Sequence, residues 1–210
     1  MLKIGIIDYG MGNLYSLGRA LDRLGHAPRL ITETEALPSL THLILPGVGS
    51  AGPAMDRLRA GGWPDAIAQW MLDGRPLLGI CLGFQLLFEA SEENGGTECL
   101  GLLPGAVARF EPGLKVPHMG WNEAIPAPHS RLFSGLGRRE FYFVHSYFPG
   151  DVLDDAIAAS CDHGGEFTCA IEVPEDNLHG VQFHPEKSGW AGAQLLKNFL
   201  TAPARQEREP

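Results

Sequence analysis

The first half of the chain alternates short, unbroken apolar runs with segments whose apolar residues recur at helical spacing. An unbroken apolar run is typical of a strand buried on both faces, and a period of about 3.6 residues is typical of an amphipathic helix. The strands predicted in this half are 3–8, 28–31, 42–45 and 77–80, and the predicted helices are 14–24, 54–58, 66–72 and 84–90. This order predicts an α/β fold with a mostly parallel central sheet flanked by helices.

Strand signals dominate the second half. Strands are predicted at 106–110, 140–144, 156–161, 169–173 and 178–183. The proline-rich stretch 125–128 is predicted to be a loop, and 191–200 a last helix. Because neither an internal repeat nor a long linker divides the chain, we expect a single domain over 1–201 with a smaller β-rich part in its second half. A disordered polar tail is expected at 202–210.

Charge and composition exclude several classes of protein. The chain has 210 residues, a net charge of −9 and no basic block, which argues against a nucleic-acid or anionic membrane surface. Asp8 comes too early for a signal peptide, and no apolar run is long enough to span a bilayer. Cys81, Cys99, Cys161 and Cys169 form no C-x-x-C pair. We therefore expect free thiols and a cytoplasmic protein.

Cys81 lies where a predicted strand turns into a predicted helix, and Gly79 and Gly83 flank it. This G-x-C-x-G arrangement has the form of a nucleophile elbow with sulfur in place of the hydroxyl. Such a turn exposes the thiol at the end of the sheet, aims the Leu82 amide at whatever is attached to the sulfur, and uses the helix N-terminus to favour the thiolate. The alternative is that Cys81 only packs, since cysteine is among the most buried residue types.

A base for that thiol lies at the end of the last predicted strand. His184 and Glu186 stand there with Pro185 between them, and in an extended segment such residues point the same way. A thiol nucleophile needs a base to move its proton, and the base needs a carboxylate to fix its tautomer, so Cys81, His184 and Glu186 form a candidate triad. The alternatives are a zinc-ligand pair, although no further ligand lies at suitable spacing, or a surface histidine beside an ion-paired glutamate.

Two glycine-rich loops follow predicted strands. Gly10 and Gly12 follow the first strand, but Tyr15 stands where a third glycine would complete a dinucleotide-binding G-x-G-x-x-G pattern. The stretch 46–53 follows the third strand and is also dense in glycine. It either brings backbone amides close to a ligand or is simply a turn.

Three of these stretches together resemble the class I, triad-type glutamine amidotransferases. They are Pro-Gly-Val-Gly at 46–49, Gly-Ile-Cys-Leu-Gly-Phe-Gln at 79–85 and Phe-His-Pro-Glu at 183–186. Within that class, the stretches 8–13, 117–122, 142–147 and 184–188 resemble the HisH family, the glutaminase subunits of imidazole glycerol phosphate synthase in histidine biosynthesis. The resemblance runs from the first strand to the last, shows no departure at the triad, and implies a flavodoxin-like fold.

The resemblance implies glutamine hydrolysis through a covalent intermediate. Cys81 would attack the side-chain amide of glutamine, and His184, held by Glu186, would protonate the departing ammonia. Water activated by His184 would then release glutamate from the γ-glutamyl thioester. The amides of Val48 and Leu82 would hold the oxyanion, each contributing about 3–4 kcal/mol. No cofactor and no metal is implied.

Binding of the glutamine α-amino acid end is implied for Gly49, Gln85, Ser146 and Tyr147. Spacing alone favours another role for Gln85, as an ordinary polar residue on the exposed face of a helix. The loop 46–49 is also implied to be regulatory, because glycines on both sides let the peptide before Val48 turn over. In that hypothesis the Val48 amide points away until the partner and its ligand bind.

The implied partner is a cyclase subunit of (β/α)8-barrel fold (HisF-like), with which the chain forms a heterodimer. Ammonia passes to this cyclase, which converts the phosphoribulosyl intermediate PRFAR to imidazole glycerol phosphate and the aminoimidazole carboxamide ribotide AICAR. The residues implied to line the cyclase face, or a hinge beside the ammonia exit, are Asn13, Met119, Trp121, Asn122, Tyr142 and Lys187. On the residues alone, the first four of these are equally well explained as turn formers and a core aromatic.

Two other functions stay open. One is the glutaminase subunit of a different synthase, such as those making anthranilate or pyridoxal phosphate. The other is a catalytically silent docking subunit, although such a protein has no chemical need for Cys81, His184 and Glu186 together.

Overall fold

The computed structural model describes residues 2–175 and 177–201, which are built around a sheet of eight strands. The strands are β1 (Ile4–Ile7), β2 (Arg29–Ile31), β3 (His42–Gly47), β4 (Leu77–Cys81), β5 (Phe88–Ser91), β6 (Thr97–Glu98), β7 (Leu103–Arg109), β8 (His118–Glu123), β9 (Ile125–Pro126), β10 (Glu140–His145), β11 (Tyr147–Pro149), β12 (Ile157–Asp162), β13 (Glu166–Val173) and β14 (Leu178–Val181). The helices are α1 (Leu14–Arg23), α2 (Ala51–Ala60), α3 (Trp63–Leu72), α4 (Leu82–Gln85) and α5 (Gly189–Leu200).

The central sheet has a parallel half and an antiparallel half. Its order is β2-β1-β3-β4-β14-β13-β12-β9. The strands from β2 to β14 in this order pair in parallel, and those from β14 to β9 pair antiparallel. All residues of β1, β3, β4 and β14 are buried, as expected for strands covered on both faces. The carboxyl ends of parallel strands meet at one edge, where ligand sites form in such sheets.

Helices cover both faces of the parallel half, as predicted. On one face α1 and α5 pack against a cluster that includes Ile6 and Leu78. On the other, α2 and α3 pack against a cluster that includes Ile7 and Leu77. Successive strand residues point to opposite faces, which explains why sequence neighbours belong to different clusters.

A smaller β-rich part stands beside the central sheet. It consists of a four-stranded sheet with the order β11-β7-β5-β6 and the two-stranded ribbon of β8 and β10. The ribbon is antiparallel and runs from the pair Glu140 and Glu123 to the pair His145 and His118. The ribbon lies beside the end of β14, because the His184 amide donates a hydrogen bond to the Tyr142 carbonyl at 2.9 Å.

The predicted helix at 84–90 is wrong over most of its length. The chain forms only the single turn α4 and then the strand β5. The physical reason is a competing, non-local set of backbone hydrogen bonds. The amides of Leu100 and Leu102 donate to the carbonyls of Leu86 and Leu87, and β5 pairs with β7 in parallel. An apolar run of this length fits a helix or a strand, and tertiary pairing decides between them.

The predicted loop at 125–128 is wrong in its first two residues. Ile125 and Pro126 form the edge strand β9, which pairs with Ser160 and Ala159 of β12. Proline is tolerated there because an edge strand leaves one side of its backbone unpaired. The tail predicted at 202–210 lies outside the described residues.

Candidate active site

Cys81 ends β4 in a strained backbone conformation. Its φ is 54° and its ψ is −111°, which costs a residue with a side chain about 1–3 kcal/mol. A Cβ on Gly79 would lie 2.8 Å from the Gly83 carbonyl oxygen, and a Cβ on Gly83 would collide with the Leu45 carbonyl. Close packing therefore requires both flanking glycines, and the strand turns sharply at the sulfur as the G-x-C-x-G pattern predicts.

The helix after Cys81 is shorter than the pattern suggests. Because α4 has four residues, its dipole contributes little to the thiolate. A partner side chain must therefore supply most of that stabilisation.

His184 and Glu186 form a buried ion pair next to the elbow. His184 Nδ1 lies 2.8 Å from Glu186 Oε1, and their side chains are 3% and 4% exposed. Pro185 begins a short 3₁₀ turn over Pro185–Lys187, which places the carboxylate against the ring. The opposite ring nitrogen, Nε2, is buried and makes no hydrogen bond of ordinary geometry within the described residues. Nε2 is therefore the ring nitrogen available to the Cys81 thiol.

The protonation of His184 follows from its two partners. Burial alone lowers the pKa of the imidazole, but the interactions with Cys81 and Glu186 outweigh it and raise the pKa to about 10. A protonated His184 beside the sulfur is the form that a thiolate–imidazolium pair requires.

A cavity of about 310 Å³ lies beside the Cys81 sulfur. It brings together eight of the residues predicted from sequence: Val48, Gly49, Cys81, Leu82, Gln85, Ser146, Tyr147 and His184. This volume is at the small end of ligand pockets, which span about 300–1,000 Å³, and suits a single amino acid.

Gln85 is buried in the cavity wall, so the alternative that it lies on an exposed helix face is wrong. Its Nε2 donates to the Tyr147 carbonyl at 2.7 Å and to Gln182 Oε1 at 3.1 Å. The side chain therefore fixes the backbone of Tyr147, a second residue of the cavity wall.

Glu93 also lines the cavity, and the sequence patterns do not single it out. Its Oε2 accepts a hydrogen bond from the Ala51 amide at 2.8 Å, which anchors it to the first turn of α2. It is the acidic side chain among the residues that line this cavity. The sequence signal for Glu93 was an acidic residue close before the pair Gly95 and Gly96. Such a composition is common in loops, so it does not indicate a binding site.

Two backbone segments lie beside the sulfur. Gly47 of β3 is paired with Cys81 of β4. Val48 and Leu82 are the next residues of these two segments, so they start from neighbouring positions. A Cβ on Gly47 would lie 2.9 Å from the Gly83 nitrogen, which explains the glycine by close approach of the two segments. An oxyanion hole of the Val48 and Leu82 amides requires this juxtaposition, and it stays a prediction.

The side chains predicted to face a partner include an exposed aromatic cluster. Trp121 is 59% exposed and Met119 is 61% exposed, so the alternative of a core aromatic at Trp121 is wrong. The Trp121 and Tyr142 rings lie 6.3 Å apart in an edge-to-face arrangement. Lys187 Nζ lies 5.6 Å from the centre of the Tyr142 ring.

The two asparagines of that set have internal partners. Asn13 accepts a hydrogen bond from the Ser16 amide at 3.4 Å and so caps the start of α1. The side-chain nitrogen Nδ2 of Asn122 donates a hydrogen bond to the backbone carbonyl of Asp162 at 2.8 Å. Their role in local structure is therefore visible in the fold, and a role toward a partner stays a prediction.

Neither a metal centre nor a bilayer crossing is indicated within 2–175 and 177–201. In this part of the chain, no three His, Cys, Asp or Glu side chains are placed to hold a metal ion. No helix in it combines the length and apolar character that crossing a bilayer requires. All four cysteines are free and buried.

The sequence and the fold agree on one family. Residues 5–202 match the family described as Glutamine amidotransferase class-I. A solved structure described as "Crystal structure of glutamine amidotransferase" superposes with a TM-score of 0.75 at 21% identity, covering 94% of this chain and 96% of its own. The chain therefore belongs to the class I glutamine amidotransferases.

Two relatives narrow the assignment. The imidazole glycerol phosphate synthase subunit HisH of Geobacillus thermodenitrificans is 49% identical, and the match covers 95% of this chain and 96% of that protein. The chloroplastic imidazole glycerol phosphate synthase hisHF of Arabidopsis thaliana is 42% identical over 97% of this chain and 35% of its own length. Within the class I family, the chain is a member of the HisH group.

Proposed function

We propose that this protein is the glutaminase subunit of imidazole glycerol phosphate synthase in histidine biosynthesis. It hydrolyses glutamine to glutamate and ammonia and passes the ammonia to a cyclase subunit, which converts PRFAR to imidazole glycerol phosphate and AICAR. The observation that carries this proposal is the meeting of Cys81 and the His184–Glu186 pair at a cavity of about 310 Å³. Membership of the HisH group supports the choice among synthases.

In the first half of the reaction, the Cys81 sulfur forms a bond to the side-chain carbonyl carbon of glutamine. The carbon–nitrogen bond of the tetrahedral intermediate then breaks, and protonated His184 gives its Nε2 proton to the departing ammonia. Glu186 holds Nδ1 and stabilises the imidazolium before that transfer. The product left on the enzyme is a γ-glutamyl thioester.

In the second half, neutral His184 takes a proton from water as the water oxygen attacks the thioester carbonyl carbon. The carbon–sulfur bond breaks, the second proton of the water is lost to solvent as glutamate leaves with an ionised γ-carboxylate, and the Cys81 thiolate with protonated His184 is restored. In both halves the amides of Val48 and Leu82 hold the oxyanion, which requires the close approach of β3 and β4 at Gly47.

The substrate's α-amino acid end is held by Gly49, Gln85 and the backbone of Ser146 and Tyr147. Glu93 adds the negative charge that a substrate ammonium group needs, because it is an acidic side chain in the cavity wall anchored to α2. Burial of Gln85 and its hydrogen bond to Tyr147 support this placement.

The partner is a cyclase of (β/α)8-barrel fold (HisF-like), bound as a heterodimer through the surface around Trp121. Exposed Met119 and Trp121 support a protein interface there, since large exposed apolar side chains are typical of one. This chain matches only 35% of the relative named hisHF, so most of that longer protein is left for a second part. That supports the pairing with a cyclase. A cytoplasmic location is part of the proposal and is supported by four free cysteines.

The loop 46–49 gates the reaction in this proposal. The Val48 amide completes the oxyanion hole only when the cyclase and its ligand are bound, so glutamine is not wasted in their absence. The positive φ of Gly49, 95°, supports a peptide that turns over at this point.

The test is glutamate release from glutamine by the purified chain, alone and with a cognate cyclase plus PRFAR. Low activity alone and a large rise with both is the expected result. High activity that the cyclase does not change would contradict the proposed partner and the gating by the loop 46–49, but it would support the glutaminase activity. No activity in any mixture, with a folded chain and reduced Cys81, would overturn the function.

A further inference from the structure

A continuous run of hydrogen bonds links strand β8 to the wall of the glutamine cavity. Asn122 Nδ2 lies 3.1 Å from His118 Nε2, and His118 Nδ1 lies 3.0 Å from His145 Nε2. His145 Nδ1 in turn lies 2.9 Å from the Tyr147 carbonyl oxygen. The first member lies next to exposed Trp121 in sequence, and the last lines the cavity.

The direction of this run follows from its two ends. A carbonyl oxygen only accepts, so His145 carries its proton on Nδ1 and presents a bare Nε2. His118 must then donate through Nδ1–H, which leaves its own Nε2 bare to accept from Asn122. The Asn122 orientation is set independently, because Nδ2 also donates to the Asp162 carbonyl and Oδ1 accepts from the Glu123 amide. Every donor therefore meets an acceptor in one arrangement.

Both rings are held in the neutral form that this arrangement needs. Burial, followed by the nearby His163, lowers the pKa of His118 to about 4. Burial lowers the pKa of His145 to about 3, although its bond to the Tyr147 carbonyl opposes the shift. His118 lies between Phe143 and His163, with ring centres at 4.7 and 4.2 Å.

The cavity end of the run is tightly constrained. The Tyr147 carbonyl accepts from His145 and also from Gln85 Nε2, at 2.7 Å. Gln85 donates further to Gln182, whose Nε2 lies 4.0 Å from the Cys81 sulfur. Two donors on one carbonyl fix the peptide of Tyr147, so the run sets a part of the cavity wall.

We propose that Asn122, His118 and His145 are positioning residues for glutamine. Their hydrogen bonds fix the Ser146–Tyr147 backbone relative to strand β8, and both histidines hold the Nδ1–H tautomer. This inference rests on the proposed function, in which that backbone binds the substrate. A cluster that only held the ribbon together would show the same tautomers, but its loss would lower stability without a specific effect on glutamine binding.

The first test is the ¹⁵N spectrum of histidine side chains in the full chain at pH 7, with His118 and His145 assigned by single substitution. Both rings should show a protonated Nδ1 and a bare Nε2. In Asn122→Asp the new carboxylate only accepts, so His118 should gain a proton on Nε2 while Nδ1–H still donates to His145, and the ring should become an imidazolium. A protonated Nε2 on either ring of the unaltered chain, or an unchanged His118 in Asn122→Asp, would overturn the proposal.

The second test compares three variants in the complex with the cyclase and PRFAR. His118→Phe keeps an aromatic ring but breaks the run, and should raise KM for glutamine about fivefold to tenfold with kcat nearly unchanged. His118→Gln keeps one donor and one acceptor and should restore most of the loss. His163→Phe is the matched control, because the His163 ring stacks on His118 while its Nε2 bonds to the Lys115 carbonyl, which is not part of the run.

An unchanged KM in folded His118→Phe, or an equal rise in His163→Phe, would contradict positioning. If His118→Phe does not fold, Asn122→Asp decides the matter by the protonation of His118 Nε2 and by KM. If the complex of the unsubstituted chain showed no glutaminase activity, the proposed function would be wrong. The ¹⁵N spectrum would still decide the tautomers of His118 and His145.

Discussion

Two groups of buried histidines beside the same cavity differ in charge, since one is protonated and the other is neutral. His184, His118 and His145 are 2%, 5% and 6% exposed, and burial acts to lower the pKa of all three. His184 has Glu186 and Cys81 as partners, and its pKa is raised to about 10. His118 and His145 have an amide, a carbonyl and each other, and burial lowers their pKa values to about 4 and 3.

The difference teaches that the partner, and not the depth of burial, decides whether a histidine here can move a proton. The triad region around Cys81 can perform chemistry because it holds a carboxylate. The ribbon of β8 and β10 can only orient groups because its histidines stay neutral. The following predictions separate these two roles.

The largest effect is expected from removing the proton shuttle. His184→Asn keeps a polar side chain but leaves ammonia without an acid and water without a base. Glutamate release in the complex should fall by about 10⁴-fold, measured as steady-state kcat. A fall of less than tenfold in a folded variant would show that another group moves the proton.

A smaller loss is expected when the charge partner is removed. Glu186→Gln keeps the shape but withdraws the carboxylate that stabilises the His184 imidazolium, and kcat should fall by about 100-fold. The pKa of His184 should also fall, read from its ¹⁵N titration. Unchanged titration of His184 would contradict the role given to Glu186, whatever the activity.

The outer face of the ribbon should affect association more than chemistry. Trp121→Ala should raise the Kd for the cyclase about 30-fold, which is the size of an interface hot spot, and change the unfolding free energy by less than about 1 kcal/mol. Leu72→Ala is the control, because Leu72 is 78% exposed but lies at the end of α3 that leads into the start of β4. Equal Kd values for both variants would remove the proposed interface.

The smallest effect is a dependence of stability on pH. In the unfolded chain His118 and His145 bind protons below about pH 6.5, whereas in the fold they do not until about pH 4 and 3. Stability should therefore fall as the pH drops from about 6.5 to 4, because the unfolded chain gains protons on these two rings that the folded chain does not.

Replacing one of these rings should reduce that acid loss. His118→Gln removes one titrating group, so its unfolding free energy should decrease less steeply between pH 6.5 and 4, by denaturant titration at several pH values. An equally steep loss in the variant would mean that other groups cause the acid sensitivity.

The triad was accessible from sequence because its signals are local. Gly79 and Gly83 flank Cys81 for reasons of close packing, and His184 and Glu186 are two positions apart, although a 3₁₀ turn and not the predicted extended segment brings them together. The buried strands of the parallel half were accessible for the same reason, since each is a short apolar run.

Features that depend on distant pairing could not be predicted in the same way. The strand β5 exists because the two strands that follow it, β6 and β7, supply its hydrogen-bond partners, while its own residues fit a helix as well. Glu93 enters the cavity wall through its bond to Ala51, and His145 meets His118 only through the register of β8 and β10. None of these contacts has a signature in the local sequence.

The central claim is that glutamine forms a γ-glutamyl thioester on the Cys81 sulfur, and that His184 transfers the protons needed to release ammonia and then glutamate. Rapid acid quench of the complex turning over glutamine, followed by mass spectrometry of proteolytic peptides, tests it most directly. The γ-glutamyl group should be found on the peptide that contains Cys81, and it should be absent from Cys81→Ala. A γ-glutamyl group on another cysteine, or glutamate release that continues in Cys81→Ala, would contradict the claim.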